Sequence, residues 1–187
     1  MLINLEELKL YLDITTNDDD ALLKIIADGA IDFAKDYCDN IIDEDEVEEI
    51  ISYEDVSDNG DVFLSNTLNL DLTTVSKNTG TDYDPVWTPL TSADYMDFLD
   101  EGRLIVTSVP TLYKALKVEY TAGYTKDNIT KGLNLALFAL IGGYWNKKKS
   151  NAVSNESLSD ANITWKSILS TEIKTMFKKY KKYEIYF

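Results

Sequence analysis

The stretch Val118-Glu-Tyr-Thr-Ala-Gly-Tyr124 and, after a short polar turn, Leu133-Asn-Leu-Ala-Leu-Phe-Ala-Leu-Ile-Gly-Gly-Tyr-Trp145 decide how this chain folds. The first half alternates in polarity and is rich in β-branched and aromatic residues, which suits a strand. Gly123 permits a backbone turn that a side chain resists. The second half is apolar on nearly every face, at Leu133, Leu135, Ala136, Leu137, Phe138, Leu140, Ile141, Tyr144 and Trp145. A helix without a solvent face must be surrounded by other elements. The reading is therefore a central bundle helix entered directly from a strand.

Upstream, Leu2, Leu5, Leu8 and Leu12 recur at helical spacing, with Asn4 as N-cap and Glu6 and Glu7 in the first turn, where the helix dipole favours anions. After a break at Ile14–Asn17, Asp18, Asp19 and Asp20 open a second helix. Its core stripe is read as Leu22, Ile26, Ala30, Phe33 and Tyr37, flanked by Leu23, Ile31 and Ala34, and its end falls near Cys38–Asn40. The two helices suggest an antiparallel hairpin. From Val47 to Tyr120 the pattern changes to short strand candidates at 49–53, 61–64, 68–77, 86–88, 95–99, 104–106 and 115–120, with turns between them. Asp58-Asn-Gly-Asp61 reads as a hairpin turn and Asp100-Glu-Gly-Arg103 as another. After the central helix come Lys147-Lys-Lys149, a Ser/Asn-rich stretch, and a last amphipathic helix with Trp165, Ile168, Leu169, Ile173, Met176, Phe177 and Tyr180 at steps of three and four.

The expected fold class is α+β, a small bundle of about four helices with an inserted antiparallel β domain. The expected organisation is 1–42 helical hairpin, 43–122 inserted β region, 123–148 central helix, 149–163 polar linker and 164–187 C-terminal helix and tail.

Composition excludes several chemistries. The chain has 187 residues, no histidine, and one cysteine, Cys38. That removes the usual zinc ligands, the usual general base and every His-containing triad, and an internal disulfide cannot form. There is no Gly-rich phosphate loop and no Gly-x-Ser-x-Gly elbow. Asp18–Asp20 lacks the mid-loop glycine and distal glutamate of a calcium loop, so capping and a favourable charge on the helix dipole are the expected roles. Asp43–Glu49 reads as a solvated acidic loop. The expectation is no catalytic residue, no cofactor and no metal. The start of the chain lacks a signal-peptide pattern and no apolar run is long enough for a bilayer, so a protein made in the cytoplasm and off the membrane is expected.

Charge is uneven. Residues 1–128 carry 8 Lys/Arg against 29 Asp/Glu, whereas residues 129–187 carry 10 against 4. An acidic body repels nucleic acid, and a basic tail suits an acidic partner, another copy of the same acidic body, or nucleic acid.

Met1-Leu-Ile-Asn-Leu-Glu-Glu-Leu-Lys9, Asp18-Asp-Asp-Ala-Leu-Leu23, and Thr121-Ala-Gly-Tyr124 before an apolar helix ending in Tyr144-Trp145 occur in that order. With Leu72-Thr-Thr-Val75, Asp94-Tyr95 and Gly102-Arg-Leu104, this order resembles the head–tail connector (adaptor, or head-completion) family of tailed bacteriophages. The resemblance implies a structural virion protein of the neck. It implies a homo-oligomeric ring, commonly a dodecamer, beneath the portal protein, with a downstream neck or tail protein below and DNA passing through without specific binding. It also implies a C-terminal arm that docks on the portal, here Trp165, Phe177, Lys178, Tyr180, Lys181, Lys182, Tyr183, Ile185, Tyr186 and Phe187. Within that set Trp165–Phe177 are expected to pack at home and Tyr180–Phe187 to reach the neighbour. The alternative classes are a tail-completion or other virion interaction module, and a carbohydrate-binding protein.

Overall fold

A computed structural model describes residues 2–154 and 165–182. The chain forms two compact units: the described parts of Met1–Asp39 and Thr125–Phe187 make the first, and Asn40–Tyr124 the second. The mixed α+β class expected from the sequence is what is found, with five helices and two antiparallel sheets among the described residues.

The helical unit begins with α1 (Leu5–Tyr11), whose Asn4 side chain accepts a hydrogen bond from the Glu6 amide as read from the sequence. α2 (Asp20–Cys38) follows. Its buried side is Leu23, Ile26, Ala27, Ala30, Ile31, Ala34 and Cys38, with Phe33 and Tyr37 only half-buried, so the inward face is rotated from the expected stripe. At the acidic start of α2 Asp20 stands in the first turn as the dipole reading expects, whereas the capping part of that reading is corrected. Asp19 occupies the N-cap position without a side-chain cap bond. Asp20 instead lies 3.0 Å from the buried Lys9 ammonium, which also donates to Asn17. A lysine only 4 % exposed requires that counter-charge.

α3 (Lys131–Ser154) is the central helix. The Thr130 hydroxyl accepts from the Leu133 amide and caps it. Leu133, Ala136, Leu137, Phe138, Leu140, Ile141 and Trp145 are buried, and α3 packs against α2 and against the two short helices that follow. It runs on to Ser154, through positions where the sequence suggests a polar linker. Where one last helix is expected there are two: α4 (Trp165–Ile168) and α5 (Thr171–Phe177), followed by a 3₁₀ turn at Lys178–Tyr180. The break comes at Ser170, whose hydroxyl accepts from the Ile173 amide and restarts the helix.

The second unit holds a four-stranded sheet, order β1-β7-β3-β4, and a three-stranded sheet, order β2-β6-β5. The strands are β1 (Asp45–Ile51), β2 (Asp61–Phe63), β3 (Asp71–Asn78), β4 (Trp87–Pro89), β5 (Tyr95–Phe98), β6 (Arg103–Val106) and β7 (Leu116–Ala122). β7 lies between β1 and β3, antiparallel to both, and buries every second residue: Leu116, Val118, Tyr120 and Ala122. Those side chains join Val62, Val75, Leu104 and Val106 in one core.

Two turn readings diverge. Phe98 and Arg103 pair across Gly102 (φ 63°), so the second turn does close a hairpin. The turn at Ser57–Gly60 exists, with Gly60 at φ 83°, but it joins no paired strands: β1 and β2 belong to different sheets. The acidic run Asp43–Glu49 is likewise not a loop, since from Asp45 onward it is β1.

Candidate docking site

Sequence reasoning singles out Trp165–Phe187 as a docking arm, and each described residue of it has a place. Trp165 is half-buried between aromatic neighbours, 4.7 Å from Tyr144 and 6.1 Å from Phe33 between ring centroids. Helix α4 can lie this close because Gly29 and Gly143 carry no side chain. A β-carbon on Gly29 would sit 3.1 Å from the Trp165 ring, and one on Gly143 2.5 Å from Ile168. Phe177 is fully buried and meets Tyr37 edge-on at 6.1 Å. Tyr180 is 3 % exposed, with its hydroxyl 2.7 Å from the Thr130 hydroxyl.

Backbone contacts continue to the end of the described segment. The Lys182 amide donates to the Cys38 carbonyl at 2.8 Å, and the Lys181 ammonium lies 3.9 Å over the Tyr37 ring. Lys178 and Lys179 are exposed, and the Lys179 ammonium lies 4.8 Å over the Tyr180 ring. Trp165, Phe177 and Tyr180 are thus brought together in the helical core rather than displayed. For Tyr180 this differs from the expectation that it reaches out, and the reason is its pairing with Thr130 at the α3 cap. Tyr183, Ile185, Tyr186 and Phe187 lie outside the described residues.

Electrostatics follows the packing. Burial pushes the Cys38 thiol up to about 11, only partly opposed by the Lys181 ammonium. Thiolate is the reactive form, so at pH 8 the native thiol should react about a hundredfold more slowly than in the unfolded chain. Labelling of this single cysteine with and without denaturant checks it, and equal rates would contradict the burial. The Glu172 carboxyl is held below its usual range, chiefly by the Ser170 hydroxyl at the α5 cap.

The acidic strand β1 is the other candidate region. Glu49 accepts from the Tyr120 hydroxyl, from the Ser65 amide at 2.9 Å and from the Ser65 hydroxyl at 3.1 Å. Asn66 Nδ2 donates to Tyr120 at 3.0 Å. Burial, then the bond to Glu49, pushes the Tyr120 phenol well up. Lys117 reaches Glu119 at 3.0 Å and Glu48 at 3.4 Å, and the Glu119 bond is the main reason its ammonium is held above its usual range. The inward carboxylate is therefore consumed by structure, while Glu46 and Glu48 face out. No group of three His, Cys, Asp or Glu side chains among the described residues is arranged to hold a metal ion. No described helix is long and apolar enough to cross a membrane.

Sequence reasoning missed a groove beside the arm, between Gly132 and Leu135 on α3 and Thr175 and Met176 on α5, with Lys178 and Lys179 at its rim. The apolar run places Leu135 in the core, yet it is 45 % exposed. Its neighbour Asn134, a polar residue in an otherwise apolar run, was the available signal for a partly open face.

Comparison with known proteins comes down on one side. The family model described as HCP, head completion protein, matches residues 1–183. No curated protein sequence matches. Among solved structures, the chain is similar to one from the neck of an empty gene transfer agent (GTA) particle computed with C6 symmetry. That match has 12 % identity and a TM-score of 0.66, over 99 % of this chain and 92 % of the other. It is also similar to one from the neck of a native GTA particle computed with C12 symmetry, at 11 % identity and TM-score 0.62, over 99 % and 91 %. A third, from the virion of a native GTA particle, has 13 % identity and TM-score 0.62, over 99 % and 92 %.

Proposed function

This chain belongs to the head completion protein family, and from that premise we propose that it is a structural protein of the viral neck. Copies assemble as a ring beneath the portal, continue the channel through which DNA leaves the head, and present a surface that the tail joins. The observation that carries the reading is the shared fold along 99 % of the chain with proteins of particle necks, two of them determined with sixfold and twelvefold symmetry. The charge of the β unit supports the passage of DNA without adhesion. Residues 40–124 carry 18 Asp/Glu against 4 Lys/Arg, which repels a polyanion. The reading requires no catalysis, cofactor or metal.

Within this reading the portal contact falls to residues beyond Lys182, because Phe177 and Tyr180 are committed to the helical core. A cut before Tyr180 would damage the fold, whereas a cut after Lys182 spares every contact described above. Particles assembled without this chain, supplied with either the full chain or a chain ending at Lys182, test both statements. Full chain should restore joining of heads to tails. The shortened chain should melt within about 2 °C of it, yet join heads to tails on the order of tenfold less, since a few aromatic anchors carry most of an interface. Joined particles in the absence of the chain would overturn the neck function. Full restoration by the shortened chain would overturn the arm alone.

A further inference from the structure

Two surfaces of the helical unit are each dominated by one sign of charge, with Lys24 and Lys35 flanking the acidic one on α2 and Glu172 one turn before Met176 beside the basic one. α2 turns Leu23, Ile26, Ala27, Ala30, Ile31 and Ala34 inward, and on the opposite side Asp28, Asp32 and Asp36 stand exposed at four-residue spacing. Residues four apart on a helix are neighbours, so these like charges repel. Among the described residues no cation lies within ion-pair distance of the three. Ile25, just before Asp28 on the same side, is 69 % exposed. The other surface is the groove floored by Leu135 and Met176, where Lys178 and Lys179 form the rim and the exposed Lys174 stands one turn before Lys178. None of these lysines is ion-paired among the described residues either.

We propose that these surfaces are the two halves of one interface between copies of this chain. The α2 stripe of one copy seats on the lysine-rimmed groove of the next, with Asp28, Asp32 and Asp36 facing Lys174, Lys178 and Lys179, and Ile25 covering Leu135. The occupant is a second copy because the patches are opposite in prevailing sign and each has an exposed apolar residue. Closure within one copy is excluded, since the stripe faces away from α3 while the groove is built partly on α3. Contact between two different patches is heterologous, so it propagates head to tail and closes as a ring when the rotation allows. The inference rests on the ring reading and names the surfaces that would form the ring.

Charge reversal tests it, read by sedimentation of the full chain at low and high salt. One variant carries Asp28→Lys, Asp32→Lys and Asp36→Lys together; the other carries Lys174→Glu, Lys178→Glu and Lys179→Glu. All six side chains are exposed, and unchanged melting verifies folding of each. The unaltered chain should self-associate at low salt and less so at high salt. Each variant should associate on the order of a hundredfold more weakly, because like charges then face each other. Mixing the two variants should restore assembly, as each supplies the sign that the other has lost, a rescue that nonspecific damage cannot produce. Variants that associate like the unaltered chain, a mixture that stays apart, or an unaltered chain that remains monomeric at low salt would overturn the interface. The copy number per particle separates this from failure of the ring reading: several copies per neck leave the ring standing, a single copy removes it.

Discussion

Phe177→Ala should destabilise the helical unit by about 3–5 kcal/mol, the range for truncating a buried aromatic residue whose site only partly collapses. Phe177 is fully buried, meets Tyr37 edge-on, and its carbonyl accepts from the Cys38 thiol at 4.0 Å. The substitution empties the point where the end of α5 is fixed to the end of α2. A loss of this size lowers the melting temperature of a unit of this length by roughly 10 °C or more. Lys178→Ala, one residue on and exposed, should stay within about 0.5 kcal/mol of the unaltered chain. The contrast separates home packing from docking. Were Phe177 a docking residue, its replacement would weaken attachment and leave melting unchanged.

Gly123→Val should damage the β unit comparably. Gly123 has φ 92°, a conformation that side chains rarely adopt and β-branched ones least. A β-carbon there would lie 2.6 Å from the Asp43 carbonyl oxygen, which is backbone and cannot swing aside. The Gly123 amide donates to the Leu68 carbonyl at 2.8 Å, and its own carbonyl accepts from Asn69 at 2.7 Å, so the turn is fixed from two sides. The dihedral alone costs about 1–3 kcal/mol, and the clash adds to it. Calorimetry of the full chain should show a loss of about 3 kcal/mol or more. A change under about 0.5 kcal/mol would mean that the turn relaxes freely and that Gly123 is not required.

These two positions also mark what the sequence makes legible. Gly123 was readable because a strand pattern of period two ends there and an apolar helix follows within a few residues. Local signals worked elsewhere too: the Asn4 cap, the hairpin at Gly102, and the burial of Leu133, Leu137 and Leu140. Of the acidic strand β1 only the end, 49–51, was readable as a strand. Its residues are mostly carboxylates, and an inward-facing Glu49 takes a slot that an alternating pattern assigns to an apolar side chain. Tyr120 and Ser65, which satisfy Glu49, are remote from it in the chain, and no local pattern announces them. Ser170 hid for another reason: the spacing of three and four continues across it from Trp165 to Phe177, so periodicity reads one helix where a cap restarts a second. Home packing of Trp165 and Phe177 followed from their place on the apolar stripe. The burial of Tyr180 did not, because its partner Thr130 lies 50 residues upstream, at the start of α3.

The measurement that bears most directly on the neck reading is imaging of purified particles of the source virus by electron cryo-microscopy, with mass spectrometry of their protein content. The account predicts this chain in every tailed particle, with density for its helical and β units at the head–tail junction in several copies around the DNA channel. Its absence from particles, or its presence away from that junction, would contradict the account.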